Sequence, residues 1–209
     1  MVEAATRICR ALAVSPAIAD QRLLVTITDL VLSATGDLSQ RRLWALRGRR
    51  GSALEQTGRY ADSVLAWRAL LADQQRVLGP DAPVTLTSRS KLASILGEVG
   101  QVEMAVEEFR ALLADQLRVL GPDAPATLTT RSNLASWLSE AGQVEAAVEQ
   151  FGVLLADDRR TLGADAPETL ATRHNLASAL AEAGQVEAAV VSSTGFGGGS
   201  ELTRSRLLR

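Results

Sequence analysis

The sequence has one cysteine, one histidine and few aromatic residues. Cys9 and His174 stand alone in a chain of 209 residues, and aromatic residues make up 3% of it. A single cysteine excludes a disulfide within the chain and a structural zinc site with several cysteine ligands. Any metal site would need carboxylates alone, and no acidic run has the spacing of a calcium loop. Few aromatic side chains also leave little for single-stranded bases to stack on.

Long apolar runs and an excess of one charge are missing as well. No run approaches the roughly 18 apolar residues that span a bilayer. Charged residues interrupt the stretch before AVSPAIA, so it lacks the apolar core of a signal peptide. The 22 basic and 24 acidic residues give a net charge of −2, which does not favour nucleic acid. We therefore expect a cytoplasmic protein with no nucleic-acid or membrane partner.

A repeat of 42 residues organises most of the chain. LGPDAP occurs at 78–83 and again at 120–125, and LGADAP follows at 162–167. Residues 78–119 and 120–161 share 29 identical positions out of 42. A more diverged copy begins near Arg41, because Gly58 precedes Gly100 by the same interval. Such a period is typical of a solenoid, in which each unit buries its apolar face against the next.

Each repeat is predicted to form two helices. In 120–161, apolar and small residues recur at helical spacing before Gly142 and again after it. Gly121 suits the left-handed position that ends a helix, and Pro122 cannot continue that helix. Asp123 could accept backbone N–H bonds at the start of the next helix, and Pro125 fits its first turn. LGPDAP is therefore interpreted as a signal that stops one helix and starts the next.

The run TLTTRSNLASWLSEAGQVEAAVEQF resembles a tetratricopeptide repeat of the 42-residue form found in kinesin light chains and many bacterial proteins. The resemblance extends over 41–190 and lies in the small and apolar signature positions, which are Leu134, Ala135, Leu138, Gly142, Ala147 and Phe151 in one copy. It implies an all-α fold, a right-handed superhelical solenoid of stacked antiparallel helix pairs, and a non-catalytic protein-interaction scaffold. The sequence departs from the family where an early aromatic residue is replaced by Arg89, Arg131 and Arg173. We expect these arginines to be structural and to pair with acids such as Glu103 or Asp123.

The resemblance also implies a concave groove lined by the first helix of each repeat, which would hold a peptide or a partner helix. Carried over by position, the predicted groove residues are Arg49, Ser52, Ser90, Lys91, Ser94, Ser132, Asn133, Ser136, His174, Asn175 and Ser178. Asparagine can both donate to and accept from a peptide backbone. Arg49 and Lys91 would favour an acidic segment at their end of the groove. A second interpretation stays open, because duplication would also copy a solvated helix face that binds nothing.

No catalytic set is predicted. His174 falls at a repeat position that is serine in two other copies, so a serine–histidine pair there is interpreted as coincidence. The glycine run at 195–200 lacks the Lys-Ser/Thr of a phosphate-binding loop and is interpreted as a linker. We expect no cofactor, no metal and no enzyme activity.

The two ends do not follow the repeat. Residues 1–40 are predicted to form a diverged helical cap in which Cys9 is a small buried residue. The array is divided into 41–77, 78–119, 120–161 and a truncated copy at 162–190. Residues 191–209 are predicted to be a flexible Gly/Ser-rich and then basic tail, with 192–200 disordered.

Two other functions remain open beside the interaction scaffold. Long repeats of this kind form the sensor arm of bacterial signal-transduction ATPases, so the chain could be a regulatory fragment of such a system. The incomplete last repeat could instead leave apolar surface that a second copy covers, giving a self-associating scaffold. The identity of the partner is not contained in these patterns.

Overall fold

The computed structural model describes residues 40–194 and five residues before them, namely Arg22, Val25, Thr26, Thr28 and Asp29. The described residues form helices and connecting turns and contain no strand. The helices of 40–194 are α1 (Gln40–Gln56), α2 (Tyr60–Leu78), α3 (Pro83–Glu98), α4 (Val102–Val119), α5 (Pro125–Glu140), α6 (Val144–Thr161), α7 (Pro167–Glu182) and α8 (Val186–Thr194). The predicted all-α fold is confirmed.

The chain divides into two compact units, Met1–Pro122 and Asp123–Arg209. In the first unit, α1 packs on α2, α2 on α3, and α3 on α4. In the second unit, α5 packs on α6, α6 on α7, and α7 on α8. The turns within a repeat are short, so the two helices of each repeat run antiparallel. Each unit is thus a stack of helix pairs, as the resemblance implies.

The repeated turn acts as the sequence predicts, with one correction. Gly121 has φ of 85°, and Pro125 occupies the first turn of α5. Asp123, however, does not cap α5, because the N-cap residue is Ala124 and no side chain bonds to the helix start. The Asp123 carboxylate instead accepts hydrogen bonds from the Arg160 guanidinium at the end of α6, one of them 2.9 Å long. A charged donor forms the stronger bond, so the side chain turns to it.

The preceding repeat contains the equivalent contact between an arginine and the aspartate of its LGPDAP turn. The Arg118 guanidinium donates two hydrogen bonds to the Asp81 carboxylate, 2.6 and 2.9 Å long. These bonds hold the pKa values of the Asp81 and Asp123 carboxyls below their ordinary range, and the two carboxylates raise the pKa values of their arginines. The aspartate of LGPDAP therefore links the start of its repeat, through hydrogen bonds to an arginine, to the end of the second helix of the same repeat.

The arginine series is structural in part, and Arg89 pairs with a different acid from those predicted. Arg89 on α3 donates to Asp115 on α4 at 2.5 Å, not to Glu103 or Asp123. The equivalent pair in the first repeat, Arg47 and Asp73, is 3.4 Å apart. Antiparallel packing brings the first turns of one helix beside the last turns of the next, which places these acids within reach. Arg131 is only 8% exposed, and its Nε has no hydrogen-bond partner in the described part of the chain.

In the core of the first repeat, one residue is larger and the residue facing it is smaller than at the equivalent positions of the next two repeats. Trp67 is buried where the next two repeats have Phe109 and Phe151. A Cβ atom built at Gly51 would lie 2.5 Å from Trp67 Nε1, closer than real Cβ contacts. The equivalent positions, 93 and 135, are alanine. The larger indole therefore fits only because α1 has a glycine opposite it.

The C-terminal end of the array extends further than expected. α8 reaches Thr194, so the predicted disordered stretch is helical over Ser192–Thr194. Gly195 is the first helix-breaking residue after Gly184, which explains why the helix continues past the end of the repeat pattern. Residues 195–209, residue Cys9 and most of the predicted N-terminal cap lie outside the described residues, and the domain boundaries stay predictions.

Candidate peptide-binding grooves

The predicted groove residues all lie on the first helix of a repeat and none is buried. They are distributed over α1 (Arg49, Ser52), α3 (Ser90, Lys91, Ser94), α5 (Ser132, Asn133, Ser136) and α7 (His174, Asn175, Ser178). Lys91, Ser136, His174 and Ser178 are exposed, and the others are half-buried. Whether these side chains bind a partner stays a prediction.

Two of the serines already bond within their own helix. The hydroxyls of Ser94 and Ser136 donate to the backbone carbonyls of Ser90 and Ser132, each at 3.1 Å. Serine in the interior of a helix commonly bonds to the preceding turn in this way. These hydroxyls are therefore less available to a partner than the asparagine amides.

In the second unit, α5, α6 and α7 enclose an open groove of about 440 Å³, which we name the second-unit groove. It brings together three of the predicted residues, Ser132, Asn133 and Asn175. Its apolar walls include Leu128, Leu154 and Leu162. Asn133 and Asn175 make no side-chain hydrogen bond within the described residues, so both amides can serve a ligand.

The second-unit groove also contains acidic residues that were not predicted to line it. Asp158 on α6 is only 4% exposed and lines the groove, as do Glu168 and Asp123. The Thr172 hydroxyl donates to Asp158 Oδ2 at 2.7 Å. The equivalent positions in the first two repeats are Gln74 and Gln116, so a comparison of repeats could have singled out Asp158.

In the first unit, α1, α2 and α3 enclose a groove of about 640 Å³, the first-unit groove. Trp44, Trp67, Leu78 and Val84 make its lining almost entirely apolar. Trp44 is fixed by its indole N–H, which donates to Asp73 Oδ2 at 2.7 Å. The predicted residues Arg49 and Lys91 are not among those that line this groove. This apolar surface was not predicted from the sequence.

A carboxyl group lies close to Lys91 on the same unit. The pKa of Glu55 on α1 is raised, first because burial removes it from water and second because Glu98 is negative. Lys91 acts in the opposite direction. The predicted cationic position Lys91 therefore lies near the Glu55 carboxyl group, which weakens the expected preference for an acidic segment there.

Two features of the described residues bear on chemistry other than peptide binding. None of the helices in the described part of the chain is both long and apolar enough to cross a bilayer. No group of three histidine, cysteine, aspartate or glutamate side chains among the described residues is arranged to hold a metal ion.

The sequence matches a family model over part of its length. Residues 89–156 match the tetratricopeptide repeat model. No curated protein matches the sequence significantly.

Solved structures extend the similarity over most of the chain. The nearly identical TPR-like repeats of a protein described as a kinesin light chain of Podosopora anserina are 25% identical, cover 91% of this chain and 90% of theirs, and have a TM-score of 0.77. BtubC (BKLC) of P. vanneervenii is 16% identical, with 83% and 70% covered and a TM-score of 0.73. PlcR of Bacillus thuringiensis is 14% identical, with 93% and 69% covered and a TM-score of 0.61. Residues 89–156 thus match the tetratricopeptide repeat family, and most of the chain is similar in fold to solved TPR-like repeats of the kinesin light chain type.

Proposed function

We propose that this protein is a non-catalytic interaction module that binds a peptide segment of a partner protein along the first helices of its repeats. The observation that carries the proposal is the second-unit groove. It is open, and Asn133 on α5 and Asn175 on α7 both line it.

The two amides fit a peptide backbone. An extended peptide has unpaired N–H and C=O groups, and an asparagine side chain offers one acceptor and two donors. Because both side chains are half-buried and leave their amides unbonded within the described residues, binding would not break an existing contact. The leucine walls add apolar area that a peptide side chain can cover.

A structural neighbour is consistent with this mode of binding. The PlcR structure is described as a complex with the peptide PapR7 and DNA. At 14% identity the similarity concerns the fold, so it supports a peptide-binding surface without naming a peptide.

The test is a selection of random linear peptides on the full-length protein, followed by affinity measurements on the enriched sequences by fluorescence polarisation. The variant Asn133→Ala/Asn175→Ala removes both amides from the groove. Losing two hydrogen bonds of about 1 kcal/mol each predicts an affinity lower by roughly tenfold or more.

The matched control is Glu107→Ala/Glu149→Ala, which changes two exposed residues at equivalent positions of the second helices. It should leave the affinity unchanged, and circular dichroism should show the same helix content for all three proteins. Equal binding by the groove variant and the parent protein would overturn the proposal.

A cytoplasmic location is part of this proposal, as is the absence of enzyme activity. The sensor arm of an ATPase system and the self-associating scaffold stay predictions.

A further inference from the structure

We infer that the second-unit groove selects a peptide with a lysine or arginine side chain, and that Asp158 is the counter-ion of that side chain. The inference rests on the proposed peptide-binding function and adds the chemical class of the residue that is bound.

The first step is the state of the Asp158 carboxylate. It is 4% exposed, at the side of the groove formed by α6. Oδ2 accepts a hydrogen bond from Thr172, whereas Oδ1 accepts none within the described residues. A buried carboxylate is normally paired with a cation or fully hydrogen-bonded. Asp158 is only half satisfied, and it faces an open groove.

The second step is the charge around it. Glu168 in the first turn of α7 adds a second carboxylate to the lining, and the residues that line the groove include no lysine or arginine. Asp123 is different, because the Arg160 guanidinium already engages both of its oxygens. A cation entering the groove would therefore meet two carboxylates and no opposing basic side chain in the lining.

The third step is the shape and polarity of the walls. Leu128, Leu154 and Leu162 surround the acids with apolar surface. A lysine or arginine combines a methylene stem, which packs on such walls, with a charged end that reaches a carboxylate. A volume of about 440 Å³ admits one long side chain together with part of the peptide backbone.

The fourth step is the contrast with the first unit. Gln74 stands at the position of Asp158, and Val84 stands at the position of Glu168, so the first-unit groove has a neutral lining at both places. The difference makes Asp158→Gln a natural test, because glutamine already occupies this position in two repeats of the same chain. The variant is expected to fold.

The experiment uses the full-length protein and the same random linear peptide library. The library is selected in parallel on the parent protein, on Asp158→Gln, and on Glu149→Gln, which removes one exposed charge from α6 outside the groove. An enriched peptide is then synthesised with its basic residue and with norleucine in its place, and each affinity is measured at low and at moderate salt.

The expected result is enrichment of lysine or arginine at one peptide position with the parent and with Glu149→Gln, and loss of that enrichment with Asp158→Gln. Either norleucine or Asp158→Gln should weaken binding about tenfold, and the two together should add little more. The inference is overturned if peptides depend on Asn133 and Asn175 but show no basic preference, or if Asp158→Gln leaves that preference intact. If no enriched peptide depends on the two asparagines, the proposed function itself fails.

Discussion

The first-unit and second-unit grooves are formed by equivalent positions of the repeat, two repeats apart, yet they differ in chemistry. Leu70 and Leu154 hold the same place in both. Around this shared leucine, the first-unit groove has Trp44, Gln74 and Val84, and the second-unit groove has Leu128, Asp158 and Glu168. The repeat therefore fixes where a groove forms, and substitutions at a few lining positions decide what it can bind.

The packing behind the two grooves differs in a related way. In the first repeat, an indole on α2 faces a glycine on α1, whereas the third repeat combines Phe151 with Ala135. The combined side-chain volume of the two residues is similar in both repeats, while the groove lining changes. A larger residue on one helix can thus be accommodated when the residue that faces it on the neighbouring helix is correspondingly smaller.

The largest expected effect comes from breaking that pair. Gly51→Ala puts a Cβ atom 2.5 Å from Trp67 Nε1 and should destabilise the protein by about 1–3 kcal/mol, because this atom would overlap the buried indole. Chemical denaturation followed by circular dichroism measures the change. Gly51→Ala/Trp67→Phe reproduces the pair of the other repeats and should recover most of the lost stability. If the changes in unfolding free energy of the two single variants simply add in the double variant, the proposed compensation between the two residue sizes is contradicted.

The second-largest effect on stability is expected when the residue of one groove is introduced at the equivalent position of the other. Gln74→Asp places a carboxylate in the nearly apolar first-unit groove, where Gln74 is 2% exposed. We expect a loss of about 1–2 kcal/mol at neutral pH, since burial at this position takes the carboxylate out of water. Asp158→Gln should cost less, because it removes a charge. Equal losses for the two variants in denaturant titrations would show that the grooves do not differ in polarity.

A smaller effect concerns Glu55, whose pKa is raised chiefly by burial. Its charged form is favoured less in the folded state than in the unfolded state, so the carboxylate opposes folding at neutral pH and this penalty disappears as the pH falls through its raised pKa. Glu55→Gln should therefore raise stability near pH 7 by about 0.5 kcal/mol or less and should have no such benefit near pH 3. Thermal melts of both proteins at the two pH values test this, and a benefit that persists at pH 3 would exclude the electrostatic cause.

The smallest effect compares two copies of the turn within the second unit. The position 37 residues after Asp123 is Arg160, whereas the position 37 residues after Asp165 is Leu202. Arg160→Leu should return the lowered pKa of the Asp123 carboxyl to its ordinary range, since the hydrogen bonds from Arg160 are its main cause. The contribution of this pair to stability is present above the ordinary carboxyl pKa and is lost as the pH falls through the lowered one. Carbon-detected NMR titration of the carboxyl groups measures it, and an unchanged Asp123 titration would refute the assignment.

Much of this fold could be predicted from the sequence because the same helix-ending and helix-starting residues recur in several repeats. Four occurrences of the glycine turn and three of the LGPDAP-like turn mark helix ends with local chemistry, such as the φ of 85° at Gly121 and the proline at the start of α5. Local signals of this kind do not depend on distant contacts. The candidate site was predicted only in part, since Asn133 and Asn175 line one groove and Arg49 and Lys91 line neither of the two described.

The sequence by itself determined the period and the helix pairs, because both follow from residue type and spacing. Only the tertiary structure decided which charges meet. Asp123 bonds Arg160 rather than the start of α5, and Arg89 bonds Asp115. It also placed Asp158, half satisfied, against an open groove. These outcomes depend on which helix faces are brought together by packing, and a repeat pattern alone does not specify that.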